Sequence, residues 1–308
     1  MPGQLPKPMF FLVFIVNNFM HSTKPHKIEG LKQIFEKYDV YFIDLWGVMH
    51  NGVECYAEAI TVLKELKNHK KKVILISNAP RPSRTVNLFL EKIGLPRTLY
   101  DLLITSGDIT QQYLIENKEK KKFYHLGPDR DKDLFENEKI HISNKEECDE
   151  IICTGLTFSE KEDIQEYEAI LQYFKNKQTP MICANPDEVV IRGTKLEYCA
   201  GALAKKYEEM GGKVTYYGKP YLDIYSTALK KMNILQLYEQ KKIIPFAIGD
   251  NLKTDIKGAN SFNISSLLIL NGIYKDFIRN DEINFEELKS SVNLQQLQIH
   301  YYQKDLIW

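Results

Sequence analysis

Four short segments of this 308-residue chain place acids, a hydroxyl and a cation where a nucleophilic centre would need them. Asp44-Leu-Trp-Gly-Val-Met-His-Asn-Gly52 opens with a lone carboxylate at the end of an apolar run, where a glycine-bracketed turn begins. A carboxylate so placed reads as a nucleophile. Ser77-Asn78 closes another apolar run and offers a hydroxyl and backbone N–H groups to a phosphoryl oxygen. Gly218-Lys219-Pro220 sets a cation between two residues that restrict the backbone, ahead of a helical pattern. A lysine there would neutralise both a nucleophile and a phosphate. In Ile248-Gly-Asp-Asn-Leu-Lys-Thr-Asp-Ile256, Asp250 ends a strand and Asp255 falls in the first turn of the next helix. Oxygen-only ligands of this kind suit Mg²⁺. Taken singly, each segment also has a plain structural reading as a helix cap, a turn or a solvated lysine.

The elements that must position these groups follow from hydrophobic spacing. Apolar residues at Ile28, Leu31, Ile34 and Phe35 predict a helix over 27–37, and the near-continuous run 40–45 predicts a buried strand of a parallel sheet. Helix over 57–70, strand over 72–77, helix over 83–93, strand over 102–105 and helix over 106–117 continue a βαβ alternation. The charged run 116–122 marks a hinge. A second series follows, with strands at 123–126, 151–154 and 180–184 and helices at 159–176 and 198–210, the last closed by Gly211-Gly212. An inserted α/β domain accounts for it more simply than long crossovers into the first sheet. The chain returns to the first sheet through 214–217, a helix over 221–232, a strand over 243–248, a helix over 254–260 and a strand over 265–270. The expected fold is therefore α/β: a doubly wound, mainly parallel core sheet from 27–119 and 214–280, with an α/β cap over 120–213 and a C-terminal tail over 281–308. All carboxyl ends of a parallel sheet point one way, so the polar strand ends converge on one crevice.

Composition narrows the function. Lys+Arg and Asp+Glu are equal at 41 each, so no overall field draws the chain to nucleic acid or to an anionic membrane. The five cysteines, at positions 55, 148, 153, 183 and 199, are odd in number and form no Cys-x-x-Cys pair. They read as buried free thiols of a reducing cytosol, hence a cytoplasmic protein. The apolar run at 9–16 is far shorter than the roughly 20 residues of a membrane span. Residues 1–26 are expected to be a disordered leader, or to reflect a start assigned upstream of Met20.

The order Asp44, Ser77, Gly218-Lys-Pro220, then Gly249-Asp250 with Asp255 resembles the four-motif order of the haloacid dehalogenase superfamily of phosphohydrolases. Asn185-Pro-Asp187, Gly218-Lys-Pro220 and Thr254-Asp-Ile256 resemble its subclass IIA, the nitrophenyl phosphatase-like and pyridoxal phosphatase-like proteins with a large cap between the second and third motifs. Asp-x-Trp-Gly-Val with Cys-Ala-Asn-Pro-Asp is similar to a bacterial branch of uncharacterised hydrolases. The resemblance runs from about Tyr38 to Tyr274. It implies an Asp44 phosphoenzyme; Mg²⁺ held by Asp44, the main-chain carbonyl of Trp46 and Asp250, with Asp255 in support; and Ser77, Asn78 and Lys219 on the phosphoryl oxygens. It implies a small phosphorylated metabolite as substrate, and caps of this type mediate homodimers.

One departure stands out. The second aspartate of the first motif, the superfamily's general acid/base, is Trp46 here, and an indole exchanges no proton near neutral pH. Three readings follow: a phosphatase adapted to good leaving groups or using another acid, a catalytically impaired protein that binds a phosphorylated ligand, or a phosphotransferase. His50 is the nearest titratable substitute for the missing acid. Asp187 and Arg192 in the cap are candidates to meet the leaving group. The loop Gly127-Pro-Asp-Arg-Asp131 is a second specificity candidate.

Overall fold

The computed structural model describes residues 24–136, 140–158, 162–193, 195–279 and 282–308. The leader expectation falls mostly outside them. Strands β1 (His26–Lys27), β2 (Val40–Asp44), β3 (Lys72–Ser77) and β4 (Leu102–Thr105) open the chain. Next come β5 (Phe123–Leu126), β6 (Glu150–Cys153), β7 (Met181–Cys183), the pair β8 (Val189–Arg192) and β9 (Lys195–Tyr198), and β10 (Val214–Tyr216). The chain ends with β11 (Pro245–Gly249), β12 (Ser265–Ile269), the short pair β13 (Ile278–Arg279) and β14 (Glu282–Ile283), and β15 (Tyr301–Gln303).

Seven of these strands form one sheet in the order β1-β15-β12-β11-β2-β3-β4, parallel at every pairing. Strands β2 and β3 are continuous apolar runs because both faces of the sheet are covered. One face buries Leu63, Leu66, Leu75 and Phe246. The other buries Phe42, Ile74, Ile224 and Leu229. Strand order reverses between β11 and β2, so a crevice opens beyond their carboxyl ends, the place where doubly wound sheets bind ligands. A second parallel sheet, β10-β7-β6-β5, has its own core around Leu171, Phe174, Leu203 and Tyr207.

The sequence reading is corrected at several points. Residues 27–37 form no continuous helix: the backbone of His26 and Ile28 is engaged by His300 and Tyr302, and Leu31–Gln33 and Phe35–Lys37 are separate 3₁₀ turns broken at Ile34. Val214–Tyr216 does not return to the core sheet but pairs with β7, because the helix Ala200–Glu209 is the crossover that a parallel neighbour requires. The cap sheet thus extends past 213. Residues 281–308 are no mere tail: β15 lies between β12 and β1 inside the main sheet. The long cap helix shortens to Glu168–Asn176 behind a 3₁₀ turn. No helix among the described residues is long and apolar enough to cross a membrane.

Candidate active site

Asp44 is the last residue of β2, Ser77 the last of β3, and Asp250 follows the last residue of β11. Adjacent parallel strands therefore deliver all three to the crevice. Lys219 arrives from the segment that follows the cap. Its ammonium binds Asp44 Oδ1 and, at 2.7 Å, Asp255 Oδ1, with the side chain only 2% exposed. Asn78 holds that lysine in place: its Oδ1 accepts from the Lys219 N–H at 2.8 Å and its Nδ2 donates to the Lys219 carbonyl at 3.1 Å. The Asn78 side chain thus positions Lys219, and what it could offer a phosphate is the backbone N–H that the sequence reading named. Ser77 Oγ accepts from the Ala79 N–H at 3.2 Å, which leaves the hydroxyl proton to donate.

Asp44, Asp250 and Asp255 are all buried, and each offers an oxygen within 4.8 Å of the others. Burial raises the Asp44 carboxyl to about 8, against the pull of Lys219. Asp250 is pushed well above the usual carboxylate range by burial and then by Asp44 and Asp255. Burial also works against the Lys219 ammonium, yet Asp255, Asp44 and Asp187 together hold its pKa well above the ordinary value. One cation thus faces several carboxylates. Such a cluster fits a hard divalent cation, which takes oxygen ligands and would relieve the crowding. Gly47 completes the arrangement. Its φ is +81°, and a Cβ there would fall 2.1 Å from Asp250 Oδ2, so only glycine lets the loop after Asp44 approach this carboxylate.

A cavity of about 380 Å³ opens over these groups. Its cap side includes Arg130, Asp131, Thr154, Asp187 and Arg192, and its core side includes Trp46, Arg81 and Phe89. Asp187 reaches the core: Asn251 Nδ2 lies 3.5 Å from its Oδ1, and enclosure, reinforced by Asp255 and opposed by Lys219, raises its pKa to about 6. Asp131 in the second specificity candidate is likewise raised to about 6 by burial. Arg81, which sequence reasoning passed over, stretches from the loop after Ser77 to Asp133 at 3.4 Å and Asp131 at 3.9 Å, bridging core and cap. Only its position just after a polar strand end could have flagged it.

His50 lies beside Trp46 in the loop that follows β2. Burial first, and then Arg192, lower its pKa to about 4, so it is neutral at neutral pH. Its Nδ1 accepts the Gly52 N–H at 2.9 Å, and its ring packs edge-on to Trp46 and Phe89. It shapes the loop and is a poor proton donor. Trp46 faces the cap: Nε1 donates to the Ile191 carbonyl at 2.7 Å, and the Arg192 guanidinium lies 5.0 Å over the ring.

A doubly wound parallel sheet with an acid and a lysine joined at its switch point, roofed by a second sheet, defines a capped α/β protein. Comparison with known proteins narrows this. The family described as haloacid dehalogenase-like hydrolase matches residues 41–141, and one described as HAD-hydrolase-like matches 216–290. A solved hydrolase of the haloacid dehalogenase-like family from Brucella suis 1330 superposes with a TM-score of 0.78 and 30% identity, covering 92% of this chain and 100% of that one. The ribonucleotide monophosphatase NagD of Escherichia coli (strain K12) is 26% identical over 234 residues, 75% of this chain and 86% of its own. The 4-nitrophenylphosphatase of Thermotoga maritima shares the fold, with a TM-score of 0.66 and 19% identity over 88% of this chain and 95% of that one. The chain belongs to the haloacid dehalogenase-like hydrolase family.

Proposed function

We propose that this protein is a Mg²⁺-dependent phosphatase that hydrolyses a small phosphorylated metabolite through a phosphoenzyme on Asp44. The observation that carries this reading is the buried contact of Lys219 with Asp44 at the floor of the cavity. The relatives named as phosphatases support it. Asp44, the main-chain carbonyl of Trp46 and Asp250 would hold the metal, with Asp255 behind them, and a bound divalent ion would neutralise charge on the phosphoryl oxygens.

Asp44 Oδ attacks phosphorus in line, the bond to the ester oxygen breaks, and its electron pair leaves with that oxygen. Lys219 offsets charge on the nucleophile and then on the transferred group. The Ser77 hydroxyl and the backbone N–H groups at Asn78 donate to phosphoryl oxygens. Water then attacks the aspartyl phosphate, releases inorganic phosphate and restores Asp44.

Trp46 supplies no proton to the leaving oxygen. General acid catalysis is worth roughly 10² to 10⁴-fold, so the reading favours aryl or acyl phosphates, whose leaving groups depart without protonation, over alkyl phosphates. The Trp46–Ile191 contact, which occupies that side chain with the cap, favours a second reading as a phospholigand-binding protein. One experiment decides: steady-state hydrolysis of aryl and acyl phosphates with Mg²⁺, comparing wild type with Asp44→Asn. Loss of at least ~10³-fold in kcat on this substitution fits a covalent nucleophile. Equal, trace activity in both proteins selects the binding reading.

A further inference from the structure

The cap touches the nucleophile's loop chiefly through one hairpin, and the contacts gather on Trp46. Its indole N–H is taken by the Ile191 carbonyl, its ring face by Arg192, and the next residue, Gly193, donates its backbone N–H to the Asn51 carbonyl at 3.2 Å. Three successive cap residues thus bind the loop 46–51. Arg192 is anchored within the hairpin by Glu197 on β9, whose buried Oε1 accepts from its Nε at 3.0 Å. The core loop is shaped to the indole in return. Gly52 has φ +87°, and a Cβ there would fall 2.5 Å from the Trp46 ring.

Among the described residues the hairpin β8–β9 pairs only with itself and joins neither large sheet. Its position therefore depends on side-chain and loop contacts such as these rather than on a ladder. It also forms cavity wall, through Val189, Val190, Arg192, Glu197 and Tyr198. Asp44 and Lys219 line the same cavity, so the organic group of a bound ester would share it with the hairpin.

We infer that Trp46 is a specificity-determining residue: by docking the β8–β9 hairpin on the nucleophile's loop, it fixes the cap-side wall of the cavity and so limits the bulk of the organic group attached to the phosphate. This inference rests on the phosphatase reading. It also gives the indole at position 46 a task of its own.

The test uses the full chain, wild type beside Trp46→Phe, which keeps a ring but loses the N–H donor, and Arg192→Gln, which leaves the core loop unaltered. Hydrogen exchange of backbone amides over 189–198 reads docking without turnover. Loss of one hydrogen bond or one cation–π contact should accelerate it by ~5-fold or more in each variant. Steady-state kcat/KM for phenyl, 2-naphthyl and bulkier aryl phosphates of similar leaving-group acidity reads specificity. Wild type should fall steeply with bulk, and both variants should flatten that profile by about tenfold or more, chiefly through KM. Unchanged exchange in both variants overturns the docking, and a size profile parallel to wild type despite faster exchange overturns the specificity role. If the wild type turns over no ester, the phosphatase reading falls and the specificity role with it; hydrogen exchange still shows whether Trp46 docks the hairpin.

Discussion

At the scale of single residues, the close approach of Gly47 to Asp250 gives a direct check on the acidic cluster. Gly47→Ala introduces a Cβ where 2.1 Å separates it from Oδ2, at a φ of +81° that alanine resists. We expect a loss of about 2 kcal/mol in chemical denaturation and, because Asp250 must shift, a smaller rise of Tm on adding Mg²⁺ than in wild type. Lys219 makes the converse case. Lys219→Met leaves its acid partners buried without a cation and should cost about 3 kcal/mol at neutral pH. The native carboxyls would then bind protons more tightly than those of the unfolded chain, so the deficit should shrink as pH is lowered, as urea melts at several pH values would show. Asp44, Ser77, Lys219 and Asp250 were legible in the sequence because each stands at a strand end or beside a glycine turn that local spacing reveals. The indole contact of Trp46 was not, since its partner lies 145 residues away. Nor was the commitment of the Asn78 amide to the backbone of Lys219, which depends on the same kind of distant pairing.

At the scale of elements, strands with continuous apolar runs were readable, with β3, β4 and β5 lying where hydrophobic spacing puts them. Short strands were not. Tyr301–Gln303 is three residues long in a polar context, and it becomes a strand only because β12 on one side and β1 on the other supply partners. Tyr302 pairs with both Leu268 and Lys27. Tyr302→Pro removes an N–H from an interior strand and should cost about 3 kcal/mol or more by urea denaturation, whereas a dispensable tail would show almost no change. The hairpin β8–β9 escaped sequence reading for a related reason. Its strands are partly exposed, and in β9 Leu196 is exposed while Glu197 is buried, the reverse of what the residue types suggest.

For the whole molecule, stability and pH are linked through groups that the fold encloses. His50 has an ordinary pKa of 6.5 that the native state lowers to about 4. Between those values the unfolded chain binds a proton that the native chain refuses, so native stability is full above about 6.5 and falls as pH drops toward 4. The pKa gap corresponds to about 3 kcal/mol for this 2%-exposed side chain. His50→Asn keeps an acceptor near the Gly52 N–H without the titration. We expect its urea midpoint to fall less steeply than that of wild type between pH 6.5 and 4; equal slopes would show that His50 does not govern the acid limb.

The strand order has a consequence for how the molecule is made. Strand β2 carries Asp44 early, but its neighbour β11 follows the entire cap in the chain, and β1 waits for β15 far along the sequence. A chain emerging from the ribosome therefore has a complete cap sheet before β11, which Asp250 follows, can reach β2. Pairings this distant in sequence form late and slowly. The acidic cluster is thus withheld from the nascent protein until Asp250 and Asp255 have been made.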